Sequence, residues 1–259
     1  MNIQGQAALV TGAGSGLGAA TAIELARRGA KVALLDINLA AATAVAQQIT
    51  EQGGQAAAFA CDITSAASTQ AAVDAAAAAH GAARILMNVA GIGSAKRIVG
   101  RDGKPAPLED FERVVRVNLI GTYNVTRLAA AAMVTLDALA DGERGVIVNT
   151  ASVAAFDGQV WQEAYAASKG GVAAMTLPLA RDLAQFGVRA VTIAPGLFHT
   201  PLMNELPQAV QDSLAASIPF PKRLGKPQEF AHLAATIVEN PSLNGEVIRL
   251  DGALRMAPR

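Results

Sequence analysis

The run Tyr165-Ala166-Ala167-Ser168-Lys169 sets a phenol and an ammonium four positions apart. On a helix the two side chains leave the same face one turn from each other and can act as a unit. A free tyrosine titrates near pH ~10 and is a poor base at neutrality, but a neighbouring cation favours the phenolate and lowers that value. Tyr165 could then exchange a proton with an alcohol. Ser152 stands just beyond Gly145-Val146-Ile147-Val148-Asn149-Thr150, which reads as a buried strand, and its hydroxyl could bond the same substrate oxygen. A Tyr and a Lys at this spacing also arise by chance on many helices, so the rest of the chain must supply the context.

It does so near the start, where the strand-like Ala7-Ala8-Leu9-Val10 runs directly into Thr11-Gly12-Ala13-Gly14-Ser15-Gly16-Leu17-Gly18. Glycine permits positive φ and close backbone approach, and the first free amides of a helix over residues 16–28 would point at an anion, for which a dinucleotide pyrophosphate is the expected guest. The glycines are spaced Gly-x-x-x-Gly-x-Gly, a weak signal alone. A second strand, Lys31-Val32-Ala33-Leu34-Leu35, ends in Asp36, where a carboxylate would accept the ribose hydroxyls of the adenosine half. That carboxylate would repel a 2′-phosphate. Ser15, Ile37 and Asn38 supply no cation to receive one, so NAD is favoured over NADP; the plainer reading of Asp36 is a helix cap or a solvated loop acid.

The elements that position these groups follow from the pattern of the chain. Apolar strand-like runs near residues 7–11, 31–36, 56–60, 84–88, 145–150, 188–194 and 246–250 alternate with helix-like stretches. Such alternation argues an α/β fold, a Rossmann-like doubly wound sheet of about seven parallel strands with helices on both faces. Ligands of these sheets bind beyond the carboxyl ends of the strands, where Gly12, Asp36, Asp62, Asn88, Ser152 and Pro195 all fall. One domain over residues 1–259 accommodates the whole pattern.

Taken together, Thr11-Gly12-x-x-x-Gly16-x-Gly18, Asn88-Val89-Ala90-Gly91, Asn118, Ser152, Tyr165-x-x-x-Lys169 and Pro195-Gly196 resemble the short-chain dehydrogenase/reductase family along essentially the whole chain. Longer strings, among them Thr150 to Val160, Thr176 to Ala184, Ile193 to Phe198 and Asn244 to Ala253, are similar to the branch of type 2 3-hydroxyacyl-CoA dehydrogenases, also called type 10 17β-hydroxysteroid dehydrogenases. The resemblance implies Ser152, Tyr165, Lys169 and Asn118 as the catalytic set, with Gln159 beside Ser152 and Tyr165 at the substrate. It places NAD on Gly12, Ser15, Gly16 and Leu17, on Asp36, on Asp62 and Ile63 as a polar contact and an apolar lid for adenine, and on Asn88, Val89, Ala90 and Gly91. Tyr165 and Lys169 face the nicotinamide ribose; Pro195, Gly196, Leu197, Phe198 and Thr200 face the carboxamide. Asp62 could instead cap a helix beginning near Ser65. A kink at Asn118, inside a helix-like stretch over residues 108–136, would free a carbonyl to hold a water linked to Lys169; the simpler account is a buried Asn satisfying backbone groups. Homotetramers are usual in the family, and Ala166, Gly170 and Ala174 would allow close helix packing within or between chains.

Other features narrow the function. Acidic and basic residues balance at 21 each, so no nucleic-acid bias shows. The 52% hydrophobic content is rich in alanine, and no run resembles a membrane span. Only six residues precede the first strand and Cys61 is the single cysteine, which point to the cytoplasm. His80, His199 and His232 carry no metal-ligand spacing, so no metal is expected. Pro178 should bend the helix that carries Tyr165. Residues 202–220 read as a helical lid, and Trp161 and His199 as bulky groups that narrow the acyl site or point outward. Loop 94–107 sets Lys96, Arg97, Arg101 and Lys104 against Asp102, a composition suited to coenzyme A phosphates or to plain solvated surface. The expected reaction is reversible hydride transfer between a nicotinamide and a secondary carbon bearing oxygen, most simply in a 3-hydroxyacyl-CoA. Two alternatives stand beside it: a dehydrogenase of steroids or other secondary alcohols, and a nucleotide-binding scaffold whose catalytic groups are vestigial.

Overall fold

The computed structural model describes residues 1–204 and 207–258. Its centre is one parallel sheet of β1 (Ala7–Thr11), β2 (Lys31–Asp36), β3 (Gln55–Ala60), β4 (Ile85–Asn88), β5 (Gly145–Thr150), β6 (Val188–Pro195) and β7 (Val247–Leu250). The strands lie in the order β3-β2-β1-β4-β5-β6-β7. The chain winds outward from β1 to β3, then returns to the other side of β1 and winds the opposite way. β1 and β4 therefore flank the switch point, where such sheets leave a crevice for a ligand.

Alternation along the strands divides the core into two layers. Ala8 and Val10 of β1 and Val146 and Val148 of β5 face a cluster with Leu25, Ile49 and Phe230 from α1 (Gly16–Arg27), α2 (Leu39–Glu51) and α9 (Pro227–Glu239). Ala7, Leu9 and Ile147 face the opposite cluster, with Val73, Val125, Met133 and Leu183 from α3 (Ala66–His80), α5 (Thr122–Met133) and α6 (Glu163–Leu183). Both faces are covered, which is why the central strands read as continuous apolar runs.

The long helix expected over 108–136 is three pieces. α4 (Leu108–Val115) gives way to a π-helical turn, Arg116–Gly121, before α5 resumes. Asn118 sits inside that turn, fully buried. Its Nδ2 donates to the Ile92 carbonyl and its Oδ1 accepts from the Ile92 amide, at 2.9 and 2.8 Å. The helix widens by one residue so that this side chain can grip the loop after β4. α6 continues unbroken through Pro178. Beyond β6 lie the short helices α7 (Pro201–Asn204) and α8 (Gln208–Ala216) of the expected lid; Glu205 and Leu206, within that lid, fall outside the described residues.

Candidate active site

The glycine loop joins β1 to α1 with little room for side chains. A Cβ on Gly12 would come within 2.7 Å of the Ala90 Cα, and one on Gly18 within 2.0 Å of the Gly12 carbonyl oxygen. Gly12 and Gly18 thus bring β1, β4 and α1 into contact, while Gly16, at φ +53°, makes the turn into the helix. Ser15 is the N-cap of α1, yet its side chain caps nothing. By contrast α2 and α3 are capped by Asn38 and Ser65. The first amides of α1 are left for an external anion, as a pyrophosphate site requires.

Asp36 lies across this loop. Its Oδ2 accepts the Gly14 amide and its Oδ1 the Asn38 amide, each at 2.8 Å. A carboxylate has lone pairs beyond these two for ribose hydroxyls, and Asp36 also sets the shape of the glycine turn. Asp62 does not cap α3, since Ser65 does; its Oδ1 accepts both the amide and the hydroxyl of Thr64. Ile63 is buried, and its side chain lies where a Cβ on Gly121 would meet it at 2.7 Å, so it packs beneath the π turn rather than as an open lid. Asn88 is buried and braces the sheet by donating to Thr126 and Asn149, while Thr11 accepts the amides of Val89 and Ala90. Gly91 stands against Asn118 and Lys169: a Cβ there would lie 3.1 Å from Asn118 Oδ1 and 3.3 Å from Lys169 Nζ.

After β6, Gly196 donates to the Leu250 carbonyl, and Phe198 turns its ring into the core against Phe230. The Leu197 carbonyl accepts from Gly225 and Thr200 Oγ1 from the Met203 amide. Thr200 and Pro201 stand across from Gly16, where an added Cβ would meet them at 3.8 and 3.3 Å. His199 is exposed.

Ser152, Tyr165 and Lys169 converge beyond β5. Ser152 is buried at the strand end, and its Oγ accepts the Ala154 amide at 3.1 Å. Lys169 is buried, donates to the Thr150 carbonyl at 2.7 Å and lies 5.9 Å from the centre of the Tyr165 ring. Burial pushes its ammonium down to about 8. Burial also holds the Tyr165 phenol above its ordinary range, against a smaller pull from its hydrogen bond with Ser152. The net direction is thus the opposite of the lowering expected from Lys169: burial dominates at the phenol, and the ammonium lies 5.9 Å from the ring centre. The carbonyl of Asn118, expected to hold a water, accepts the Thr122 hydroxyl at 2.7 Å, while its side chain also donates to Ser168. Asn118 thus acts as the buried bracket between the loop after β4 and α6.

The comparisons agree with this architecture. Residues 6–211 match the family model described as short chain dehydrogenase. The chain belongs to the short-chain dehydrogenase family. It is 51% identical over 259 residues to the human protein named 3-hydroxyacyl-CoA dehydrogenase type-2, covering 99% of this chain and 98% of the relative. A solved structure of 3-hydroxyacyl-CoA dehydrogenase type-2 from Mycobacterium avium superposes with a TM-score of 0.92 at 42% identity over 98% of both chains. A 7α-hydroxysteroid dehydrogenase complexed with NADH and 7-oxo glycochenodeoxycholic acid superposes at 0.89 and 31% identity, over 100% of this chain and 98% of the other. The chain is thus an oxidoreductase of the nicotinamide dinucleotide class.

One feature of this short-chain dehydrogenase has no local signal in its sequence. The loop between Ser152 and Tyr165 is held by the C-terminal segment. Arg249 donates to Asp157 at 2.6 Å, to Asp251 at 2.8 Å and to the Leu254 carbonyl at 2.9 Å, and its guanidinium lies 5.5 Å from the centre of the Phe156 ring. Gln159, expected at the substrate, donates its amide to the Ala257 carbonyl instead, and Val160 donates to Pro258. Asp157 and Arg249 are 92 residues apart, too far for any spacing rule to pair them. Arg249→Ala should free this loop and raise KM for the alcohol about tenfold, the worth of one charged hydrogen bond. A steady-state KM unchanged from the parent would show that the loop holds without it.

Proposed function

We propose that this chain is an NAD-dependent dehydrogenase interconverting an (S)-3-hydroxyacyl-CoA and the 3-oxoacyl-CoA, in the setting of fatty acid metabolism. The observation that carries the reading is 51% identity along 99% of the chain to proteins named for that activity, with Ser152, Tyr165 and Lys169 gathered at one strand end. Asp36 at the end of β2, with Ser15, Ile37 and Asn38 rather than a Lys or Arg at the neighbouring positions, favours NAD over NADP. The protein acts as a single domain over residues 1–259, with residues 200–220 as its substrate lid. We place it in the cytoplasm as a homotetramer. Among the described residues no helix is long and apolar enough to cross a membrane. Half-exposed Phe111, Ile120 and Tyr123 on α4, the π turn and α5 give other subunits an apolar face.

The dinucleotide would be held by the α1 amides and the glycine loop, by Asp36 at the ribose, by Asp62 near the adenine, and by the backbone of residues 90–91 and 196–200. It supplies the hydride donor or acceptor. Tyr165 moves the proton at the substrate oxygen: the phenolate takes it during alcohol oxidation and the phenol returns it during ketone reduction. Ser152 holds that oxygen by its hydroxyl. Lys169 keeps positive charge beside the phenol, and Gly91 leaves the room in which Lys169 and Asn118 meet the ligand.

A steroid or simple secondary alcohol is the second reading, favoured by the likeness to the 7α-hydroxysteroid enzyme. Nicotinamide absorbance during oxidation of 3-hydroxybutyryl-CoA, with NAD⁺ and NADP⁺ in parallel and free 3-hydroxybutyrate as control, separates the two. Turnover with NAD⁺ that needs the coenzyme A moiety is expected. Turnover on steroid alcohols alone would move the function to the second reading.

A further inference from the structure

We propose that Arg97, resting on the Trp161 ring, binds a phosphate of the coenzyme A end of the substrate. The inference rests on the thioester reading above and names the residue that would recognise the substrate's distant end.

Trp161 has φ +71°, a conformation that bulky side chains rarely adopt. Strain of this kind persists where surrounding contacts hold it, and it gathers at binding sites. Here the contacts come from the basic loop. Lys96 donates its amide to the Trp161 carbonyl at 2.9 Å, and the Arg97 guanidinium lies 4.8 Å from the ring centre. The loop itself is a small hairpin, closed by the pairing of Val99 with Pro105 and by the Gly100 amide on the Lys104 carbonyl. Trp161 belongs to the segment between Ser152 and Tyr165, so Arg97 is fixed to the rim of the catalytic loop.

The cations of this hairpin are not equivalent. Lys96 is paired with Asp110 at 2.8 Å, and Lys104 with Asp102 at 3.7 Å. Among the described residues, no carboxylate lies within ion-pair reach of Arg97 or Arg101. Among the described residues no aromatic ring supports Arg101 at the exposed hairpin tip, whereas Arg97 is already ordered by the indole. A guanidinium resting on a ring keeps its N–H donors for an anion, and planar bidentate recognition of phosphate is what arginine does better than lysine. Pre-ordering lowers the entropy cost of capturing a ligand. The indole remains 41% exposed, so the pair is open to solvent at the mouth of the site.

The test compares acetoacetyl-CoA with S-acetoacetyl-N-acetylcysteamine, the same reacting thioester without phosphates, in NADH-dependent reduction. Arg97→Gln should raise KM for the coenzyme A thioester about tenfold relative to the truncated one, the size of one charged hydrogen bond. Trp161→Gly, which relieves the positive φ and so folds, should shift the same ratio in the same direction by removing the support. Rising salt should weaken the coenzyme A preference of the parent protein and leave Arg97→Gln nearly flat. An unchanged ratio in Arg97→Gln, or equal losses on both thioesters, overturns the assignment. A parent protein that reduces the truncated thioester but shows no preference for coenzyme A overturns it at an earlier step, through the substrate reading itself.

Discussion

Tyr165→Phe should lower turnover in both directions by a factor of about 10³ or more, the span general acid–base groups supply, while the dissociation constant for NADH stays within about twofold. The variant loses one oxygen. Its ring remains to pack at the start of α6, where the parent phenol is partly buried beside Ser152. NADH fluorescence titration and steady-state rates on one preparation separate the outcomes: equal loss of binding and turnover would move Tyr165 into cofactor support. The pH profile carries the sign. Because burial raises the phenol, the phenolate that oxidation needs is scarce at neutrality and grows as pH rises. kcat/KM for alcohol oxidation should therefore climb from pH 6 to pH 9, and for ketone reduction it should not. A flat oxidation profile over that range would contradict the assignment of Tyr165 as the base.

Lys169→Met should also abolish turnover, again by about 10³, yet leave the cofactor-free protein more stable than its parent. The ammonium is buried with one hydrogen bond, to the Thr150 carbonyl, and burial lowers its pKa from 10.5 to about 8. That difference corresponds to about 3 kcal/mol of cost for holding the charge in the folded chain at neutral pH. Losing the bond to Thr150 returns about 1 kcal/mol, so the variant gains about 2 kcal/mol at pH 7. The cost is complete below pH 8. Between pH 8 and 10.5 the unfolded chain binds more protons than the folded one, so the parent recovers with rising pH and the gain of the variant shrinks. Urea unfolding at pH 7 and at pH 10 measures both values; a variant less stable at pH 7 would show that the lysine is held there without cost. Function, on this account, retains a destabilising charge next to Tyr165.

Most strands were legible because they are short apolar runs ended by a glycine, a polar residue or a proline; the ends at Thr11, Asp36, Asn88 and Thr150 fall where the sequence places them, and β6 runs one residue further, to Pro195. Tyr165 and Lys169 were legible because helical geometry alone puts them on one face. The interruption at Asn118 was legible as a poor helix residue among apolar ones, but its π-helical form was not, since that depends on the Ile92 backbone reaching it from another loop.

The sequence by itself determined the doubly wound class, the glycine turn and the proton-transfer pair, because all three rest on local periodicity or on contacts within a few residues. Only the tertiary structure decided the electrostatics and the frame of the site. Tyr165 is raised rather than lowered because desolvation is summed over everything packed around it. Gln159 is turned to the C-terminal segment because the Ala257 carbonyl competes for its amide. Asp157 is held by Arg249, and Arg97 rests on Trp161. These pairings join residues far apart in the chain, and their distances exist only once the whole sheet has closed.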